Sequence, residues 1–560
     1  MSAQRMHQLM LAVLGCSLCT LAATAQTLTV TGSCPGPMTF DVTGALPDSQ
    51  LGFLTADGPG TEVVPTGTCE GTELGLAGDL VPRLVLTSDG SGQASLSADL
   101  PQEVCGSWAQ VLDLGDCGTS NAEVINFAEP TSIDVSCDAT QNPLRFSCTV
   151  TVDPPQPVDV RYSRTDGLGV ERANRGDEVV ASQQVPVLFL APEKAYAIEA
   201  VAAGHPQGPM ATDTLMTGAP PFDVDSWLTF VGESTMGLVG AENPCDGDAT
   251  AVVYDTTTGD LVWYHDIDPN GSLGVLNMVS FTAEQTVVGE TGNGVVEVDL
   301  LGGVLTDFNV DYPGCCNLHH DIYKANGNYY GFYQDTRAGL TLDPVVVLDA
   351  QGNELFEWNP HDVLPVPPGS FGDWLHTNSV WVDEDGTAVL SWLTRDSVAK
   401  VDLNPQSPTF GEVLWIMDGN PPDALPPDIT IDWSNVGGAN FFSQQHNFHR
   451  RHDGRYMLLD NDHGRGIVFT IDEVNRTATA DAVYPTAEFF CGAQGTADDT
   501  EDGNALVACG NDALREYDGV TDALIWDAEV DCANGGGFGG PGVARWNVLD
   551  GWSKAFLPNP

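Results

Sequence analysis

Along the second half of this chain, apolar runs of strand length are cut by Asp-Gly and Asn-Gly turns, and helix signals are nearly absent. From about residue 222 one unit recurs: an apolar strand, an Asp, a Gly turn, and a second strand ending in Trp or another apolar residue. The copies are Val252-Val253-Tyr254-Asp255 with Gly259 and Trp263, Val295-Val296-Glu297-Val298-Asp299 with Gly302 and Phe308, and Val346-Val347-Leu348-Asp349 with Gly352 and Trp358. Ala399-Lys400-Val401-Asp402 with Trp415, Val468-Phe469-Thr470-Ile471-Asp472, and Leu514-Arg515-Glu516-Tyr517-Asp518 with Gly519 and Trp526 complete the series. Units spaced by roughly 45 to 70 residues have the length of propeller blades, and radial repetition leaves only short, protected strand edges. The expected architecture is all-β, with a six-bladed β-propeller over residues 220–560 preceded by two small β-sandwich domains. The tryptophans are read as core between blades.

Upstream, residues 26–128 break into β-prone runs such as Leu28-Thr29-Val30-Thr31 and Arg83-Leu84-Val85-Leu86-Thr87, as in a disulfide-tied sandwich. Residues 129–219 read as a fibronectin-like domain that leaves through the linker Gly218-Ala219-Pro220-Pro221. Residues 1–25 have the form of an export signal: Arg5, an apolar core from Leu9 to about Leu21, then Ala23-Thr24-Ala25 for cleavage. A lipoprotein site at Leu14-Gly15-Cys16 is an alternative that truncates this core. No later run reaches the roughly 18 apolar residues of a membrane helix, so a periplasmic or secreted protein without membrane insertion is expected.

Composition sharpens this picture. Outside the signal twelve of the fourteen cysteines remain, an even number suited to disulfides in an oxidising compartment. Spacing suggests the pairs Cys34–Cys69, Cys105–Cys117, Cys137–Cys148 and Cys491–Cys509. The partners of Cys245, Cys315, Cys316 and Cys532 stay open, including a vicinal bond between Cys315 and Cys316. A formal charge of −58, from 78 acidic and 20 basic residues, argues against nucleic-acid or anionic-membrane partners. Solubility accounts for most of that charge, with calcium binding at Asp498, Asp499, Glu501 and Asp502 as the alternative.

Against this acidic background, eight of eleven histidines fall between His319 and His463. Three stretches share a His-bearing lead, a strand and a tight turn. They are His319-His320-Asp321-Ile322 with Asn326-Gly327-Asn328, Asp373-Trp374-Leu375-His376-Thr377-Asn378-Ser379 with Asp385-Gly386, and Gln444-Gln445-His446-Asn447-Phe448 with Asp453-Gly454. A fourth, Ala544-Arg545-Trp546-Asn547-Val548 with Asp550-Gly551, is placed to complete the first blade and close the ring. If each lead enters the innermost strand of a blade, His320, His376, Asn378 and His446 face one another at the channel, with Arg395 returned beside the lead of its own blade. Strand alternation makes His319 a weaker candidate than His320, and His449, His452 and His463 read as peripheral. Zinc at His446, His449 and His452 is disfavoured, because residues three apart on a strand alternate faces. The set suits an anionic, oxygen-rich group: a neutral imidazole attacks while cationic His and Arg hold the developing charge.

These motifs resemble the bacterial arylsulfate sulfotransferases over roughly residues 222–550. The resemblance rests on His320-Asp321-Ile322 with Asn326-Gly327-Asn328, on Arg395 with Val398-Ala399-Lys400-Val401-Asp402, on Trp415, on Gln445-His446 and above all on Asp373-Trp374-Leu375-His376-Thr377-Asn378-Ser379. It implies ping-pong transfer: His446 takes a sulfuryl group from an aryl sulfate donor and a phenolic acceptor collects it. His320, His376 and Arg395 then assist as catalytic residues, and Asn378 and His319 bind substrate. No cofactor, metal or nucleotide donor is implied. The sequence departs from the family pattern at Asn447, where an Asp is usual, at Thr394 for Ser, at Asp396 beside Arg395, and at Asp418-Gly419-Asn420 for a Leu-Gly-Gly turn. A non-catalytic propeller for binding or cell-surface interaction is the alternative, and a quinone-dependent dehydrogenase, which typically needs eight blades, is a third.

Overall fold

A computed structural model describes residues 26–552, apart from residues 79, 206, 246–249, 268–278, 291–293, 311–317, 338, 367–371, 420–427, 438–439, 493, 510–512, 534–544 and 550–551. The expected export signal, Cys315-Cys316, Asn420 and Asp550-Gly551 lie outside the described residues. Within them the regular secondary structure is nearly all strand. Among the described residues from Ser226 onward, six sheets of four or five strands follow one another in chain order. The six repeated sequence units form the third and fourth strands of these sheets. Each carries a register break at the same place: between Val253 and Tyr254, Glu297 and Val298, Val347 and Leu348, Lys400 and Val401, Val468 and Phe469, and Glu516 and Tyr517. Equivalent irregularities at equivalent positions mark the sheets as copies of one unit. Trp263, Trp415 and Trp526 are completely buried and Trp358 nearly so, as the apolar pattern requires.

In three of these sheets the first strand begins at a His-bearing lead. Leu318–Ala325, Thr377–Val382 and His446–Arg450 open the third, fourth and fifth sheets. Asn326 and Gly327 both take positive φ, 52° and 75°, as a two-residue hairpin turn demands. The first strands pack against one another in order. Val279–Phe281 meets Leu318–Ala325, followed by Thr377–Val382, His446–Arg450 and Thr496–Asp499, and the last of these meets Asn547–Val548. Asn547–Val548 in turn pairs with Leu238–Glu242 of the first sheet, and Leu238–Glu242 touches Val279–Phe281. Both ends of this half are therefore woven into sheets begun elsewhere, because Ser226–Gly232 also pairs antiparallel with Leu524–Cys532 of the sixth. A disulfide between Cys245 and Cys532 fastens the same junction across 287 residues.

Residues 26–128 fold as small sheets over a shared core that includes Leu28, Phe40, Phe53 and Val111. Their disulfides differ from the pairing by spacing: Cys34 joins Cys105 and Cys69 joins Cys117. Sheet pairing explains the exchange, since Gly36–Thr43 lies against Ala94–Leu100 and brings Cys34 to the segment after Leu100. Cys137–Cys148 and Cys491–Cys509 form as expected. Residues 129–219 form a three-stranded and a four-stranded sheet around Val150, Val160, Val185 and Ile198, and the Tyr196 hydroxyl accepts from the Ala191 amide at 2.8 Å. Arg172 and Asp255 fix this unit to the first sheet through a buried pair at 2.7 Å, and Arg164 reaches Asp260 at 2.6 Å.

The closing disulfide leads to a prediction. Replacing Cys245 and Cys532 together by Ser lowers the urea stability of the C-terminal half by about 4 kcal/mol, because the loop released from the unfolded chain is long. An unchanged urea midpoint would show that the junction does not depend on this bond.

Candidate active site

Three neighbouring first strands break register where their leads enter. In the third sheet His319 stands opposite Phe332 and Ile322 opposite Gly331, so His320 and Asp321 are extruded. Asn378 is extruded in the fourth, between Thr377 and Ser379, and the fifth gains one residue between His446 and His449. His320, His376, Gln444 and Asn447 hold positive φ values of 70°, 54°, 53° and 51° around these breaks. Such bulges re-aim side chains away from strict strand alternation. They turn imidazoles from separate sheets toward common space.

The peptide before His446 is gripped from the fourth sheet. The Asn378 side-chain amide donates to the Gln445 carbonyl at 2.8 Å and the Ser391 hydroxyl to the same oxygen at 3.1 Å. The Phe448 amide donates to the Ser379 hydroxyl at 3.1 Å. Asn461 then fixes the imidazole. Its Nδ2 donates to the Gln494 carbonyl at 2.6 Å, so its Oδ1 is left as an acceptor for His446 Nδ1 at 3.0 Å. His446 Nδ1 therefore carries the proton, and Nε2 keeps its lone pair. Burial pushes the His446 pKa down to about 4, with the Asn461 bond opposing and the charge of His376 adding to the shift. This imidazole is neutral at pH 7. A small pocket beside it is lined by Asn378, Ser379, Asn447, Gln494, Gly495 and Arg545.

His320 and His376 are pushed in opposite directions by their surroundings. The His320 ring meets His376 in a tilted contact at 4.6 Å and His319 edge-on at 4.7 Å between ring centroids. Burial, then the charges of His319, His376 and His446, push His320 down to about 2. His376 is also penalised by burial, but its Nδ1 bond to Asp373 and the charges of Asp373 and Asp343 outweigh this and raise its pKa. His319 Nε2 lies 3.1 Å from Asp343, which also accepts from the Thr377 amide at 2.9 Å. Arg395 is placed beside the lead of its own sheet, its Nε donating to the Trp374 carbonyl at 3.0 Å.

The arginine lining the His446 pocket is Arg545. It pairs with the fully buried Asp321 at 2.6 Å, and Asp321 also accepts from the Val380 amide at 3.0 Å. From sequence alone this residue belongs only to the stretch expected to close the ring. Its signal was present, since Arg545 opens the fourth copy of the lead grammar. Asn461 and Gln494 carried no such signal.

Two departures from the family pattern have structural explanations. Asn447 donates its amide to the Ala497 carbonyl at 2.8 Å, where a carboxylate would oppose another acceptor. Asp396 accepts from the Ser443 hydroxyl and the Gln444 amide, both at 2.9 Å, and so holds the His446 lead.

A family model described as Arylsulfotransferase (ASST) matches residues 226–531. No curated protein matches the chain. Solved structures similar to it include a protein of unknown function from Bacteroides caccae at 11% identity, covering 56% of this chain and 98% of that one with a TM-score of 0.35. Virginiamycin B lyase from Staphylococcus aureus is 8% identical, covering 55% and 85% with a TM-score of 0.33. A quinonprotein alcohol dehydrogenase-like protein from Bacteroides thetaiotaomicron is 12% identical, covering 68% and 77% with a TM-score of 0.30. Likenesses this low do not bear on function.

The tautomer of His446 can be read directly. Nitrogen-15 NMR of the full chain at pH 6 is expected to find it neutral with the proton on Nδ1, and Asn461→Leu is expected to mix the two tautomers. A charged ring at pH 6 would remove the basis for a nucleophilic Nε2.

Proposed function

This chain belongs to the arylsulfotransferase (ASST) family, and from that premise we propose that it moves a sulfuryl group from a phenolic sulfate ester to a phenolic acceptor through a sulfohistidine on His446. The observation that carries the reading is a buried, neutral His446 with Nδ1 held by Asn461 and Nε2 available beside an arginine-lined pocket. The Nε2 lone pair attacks sulfur, the S–N bond forms, and the sulfur–aryl oxygen bond breaks. The departing phenolate takes a proton from cationic His376. In the second half His376 takes the proton of the acceptor phenol, whose oxygen attacks sulfur and expels His446. In such a loose transfer, charge spreads over three equatorial oxygens, so positioned cations dominate. Arg545 and Arg395 supply them, Asn378 and His319 border the substrate, and neutral His320 spaces the cationic ring. No nucleotide donor or metal is required by this scheme.

The same reading covers architecture and address. The ordered contacts of the six first strands, the six matching register breaks and the return of Asn547–Val548 to the first sheet support a six-bladed propeller over residues 220–560. Residues 26–128 and 129–219 then stand before it as two sandwiches. The three-plus-four strand arrangement and the Tyr196 corner favour a fibronectin-like second domain. Disulfides Cys34–Cys105, Cys69–Cys117, Cys137–Cys148, Cys245–Cys532 and Cys491–Cys509 favour export to the periplasm or beyond. No described helix is long and apolar enough to cross a membrane.

With 4-nitrophenyl sulfate as donor and phenol as acceptor, nitrophenol release is expected to turn over only when phenol is present, and His446→Asn is expected to reduce it to background. Sustained release without acceptor would instead identify a hydrolase. Arg545→Met is expected to lower kcat/KM by about 100-fold. The pH profile provides a separate check. Activity should rise as His446 loses its proton near pH 4 and fall as pH climbs through the raised pKa of His376. Asp373→Asn should move only the falling limb to lower pH, and an unmoved limb would assign the proton transfer elsewhere.

A further inference from the structure

The extra residue in the fifth sheet has a second consequence. It turns His449 away from the His446 pocket and into the interior, where the side chain is almost wholly buried. His449 Nδ1 meets the Asn447 carbonyl at 3.2 Å, and a carbonyl can only accept, so Nδ1 carries a proton and Nε2 is the atom left to face a ligand. Nε2 makes no hydrogen bond. It faces Asp498 Oδ1 at 3.6 Å and Asp499 Oδ1 at 3.7 Å, from the first strand of the sixth sheet. Three electron-pair donors thus converge, all within 4.8 Å of one another.

A proton on Nε2 would draw a charged N–H to a carboxylate oxygen to about 2.7–2.9 Å. The observed separations are longer. They lie near the edge of a tetrahedron whose ligands each stand about 2.0–2.2 Å from a shared ion. We propose that His449 Nε2, Asp498 Oδ1 and Asp499 Oδ1 bind a divalent cation of the zinc type. One imidazole with two carboxylates suits a borderline transition ion better than calcium, which takes six to eight oxygens. The sequence sets Asp498 and Asp499 beside Glu501 and Asp502 as calcium donors, whereas the fold gives them a histidine.

The surroundings fit a held ligand set. The His449–Asn447 bond orients the imidazole, as the outer partner of a metal-bound histidine does. Asp498 Oδ2 accepts from the Val548 amide at 2.9 Å, and Asp499 Oδ2 from the His452 amide at 3.2 Å. Arg451 Nε stands 3.6 Å from Asp499 Oδ2, leaving Oδ1 directed at His449. The ion joins the fifth and sixth sheets, and through Val548 it reaches the returning C-terminal strand. Its role is a staple at the closure, apart from the reacting atoms.

The test uses the full chain, stripped with a chelator and titrated with zinc chloride by calorimetry. The expected result is one zinc per chain with a Kd below about 1 μM, accompanied by a rise in thermal midpoint. His449→Ala and Asp498→Asn are expected to weaken binding by more than about 100-fold. Should either variant fail to fold, cobalt(II) added to the stripped wild-type chain supplies the independent reading: visible absorption of a tetrahedral nitrogen–oxygen site supports the proposal, and its absence overturns it. No zinc binding by wild type, undiminished binding by folded His449→Ala, or a midpoint raised by calcium and not by zinc would each overturn it as well.

Discussion

A strand in perfect register sends neighbouring side chains to opposite faces, and a site built from such strands could use only every second residue. The candidate site depends on relief from that constraint. Extrusion of His320-Asp321, of Asn378, and of one residue between His446 and His449 occurs at the entrance of three successive first strands. One break delivers His320 toward His376 while Asp321 turns to Arg545. Another lets Asn378 hold the Gln445 carbonyl from the adjoining sheet. The third separates His446 from His449, giving one to the pocket and the other to Asp498 and Asp499. Positive φ at His320, His376, Gln444 and Asn447 is a local cost of order 1 kcal/mol each or more, sustained because neighbouring strands overdetermine these conformations.

Chemically similar side chains acquire different charges from their surroundings. His320 and His446 lose solvent without gaining a carboxylate partner, so burial keeps both neutral. His376 loses solvent too, but the Asp373 carboxylate at its Nδ1 favours the cationic form and raises its pKa. The proposed nucleophile and the proposed acid thus have their proton affinities displaced in opposite directions. Mutual repulsion reinforces the split, because a proton on His376 disfavours one on either neighbour. In a chain of net charge −58, the buried Asp321–Arg545 pair also matters. It brings a guanidinium to the pocket from a residue 224 positions away.

Strand exchange between the two ends of this half ties these parts together. Ser226–Gly232 completes the last sheet, Asn547–Val548 completes the first, and Cys245–Cys532 bonds the same junction. Contacts from the C-terminal strand reach inward as well: the Val548 amide meets Asp498, and the Trp546 amide meets the Thr496 hydroxyl at 2.7 Å. Arg545 lies just before this strand, so the pocket and the strand that returns to the first sheet share one segment.

Much of this was written locally in the chain. The strand–Asp–turn–strand units appeared as six copies because both periodicity two and turn chemistry act over a few residues, and each copy became the third and fourth strands of a sheet. The leads were legible for the same reason, and so were the buried tryptophans. Pairing of Cys34 with Cys105 was not, since it follows from which strands lie side by side and spacing does not report that. Nor was Asn461 as the partner of His446, an ordinary residue after an apolar strand that gains meaning only from the imidazole brought to it. The sequence alone determined an all-β chain of repeated units with histidines gathered at their entrances. Tertiary structure decided which nitrogen of His446 holds its proton, which histidine is pushed toward the charged form and which arginine lines the pocket, because protonation and alignment depend on burial and on neighbours distant in sequence.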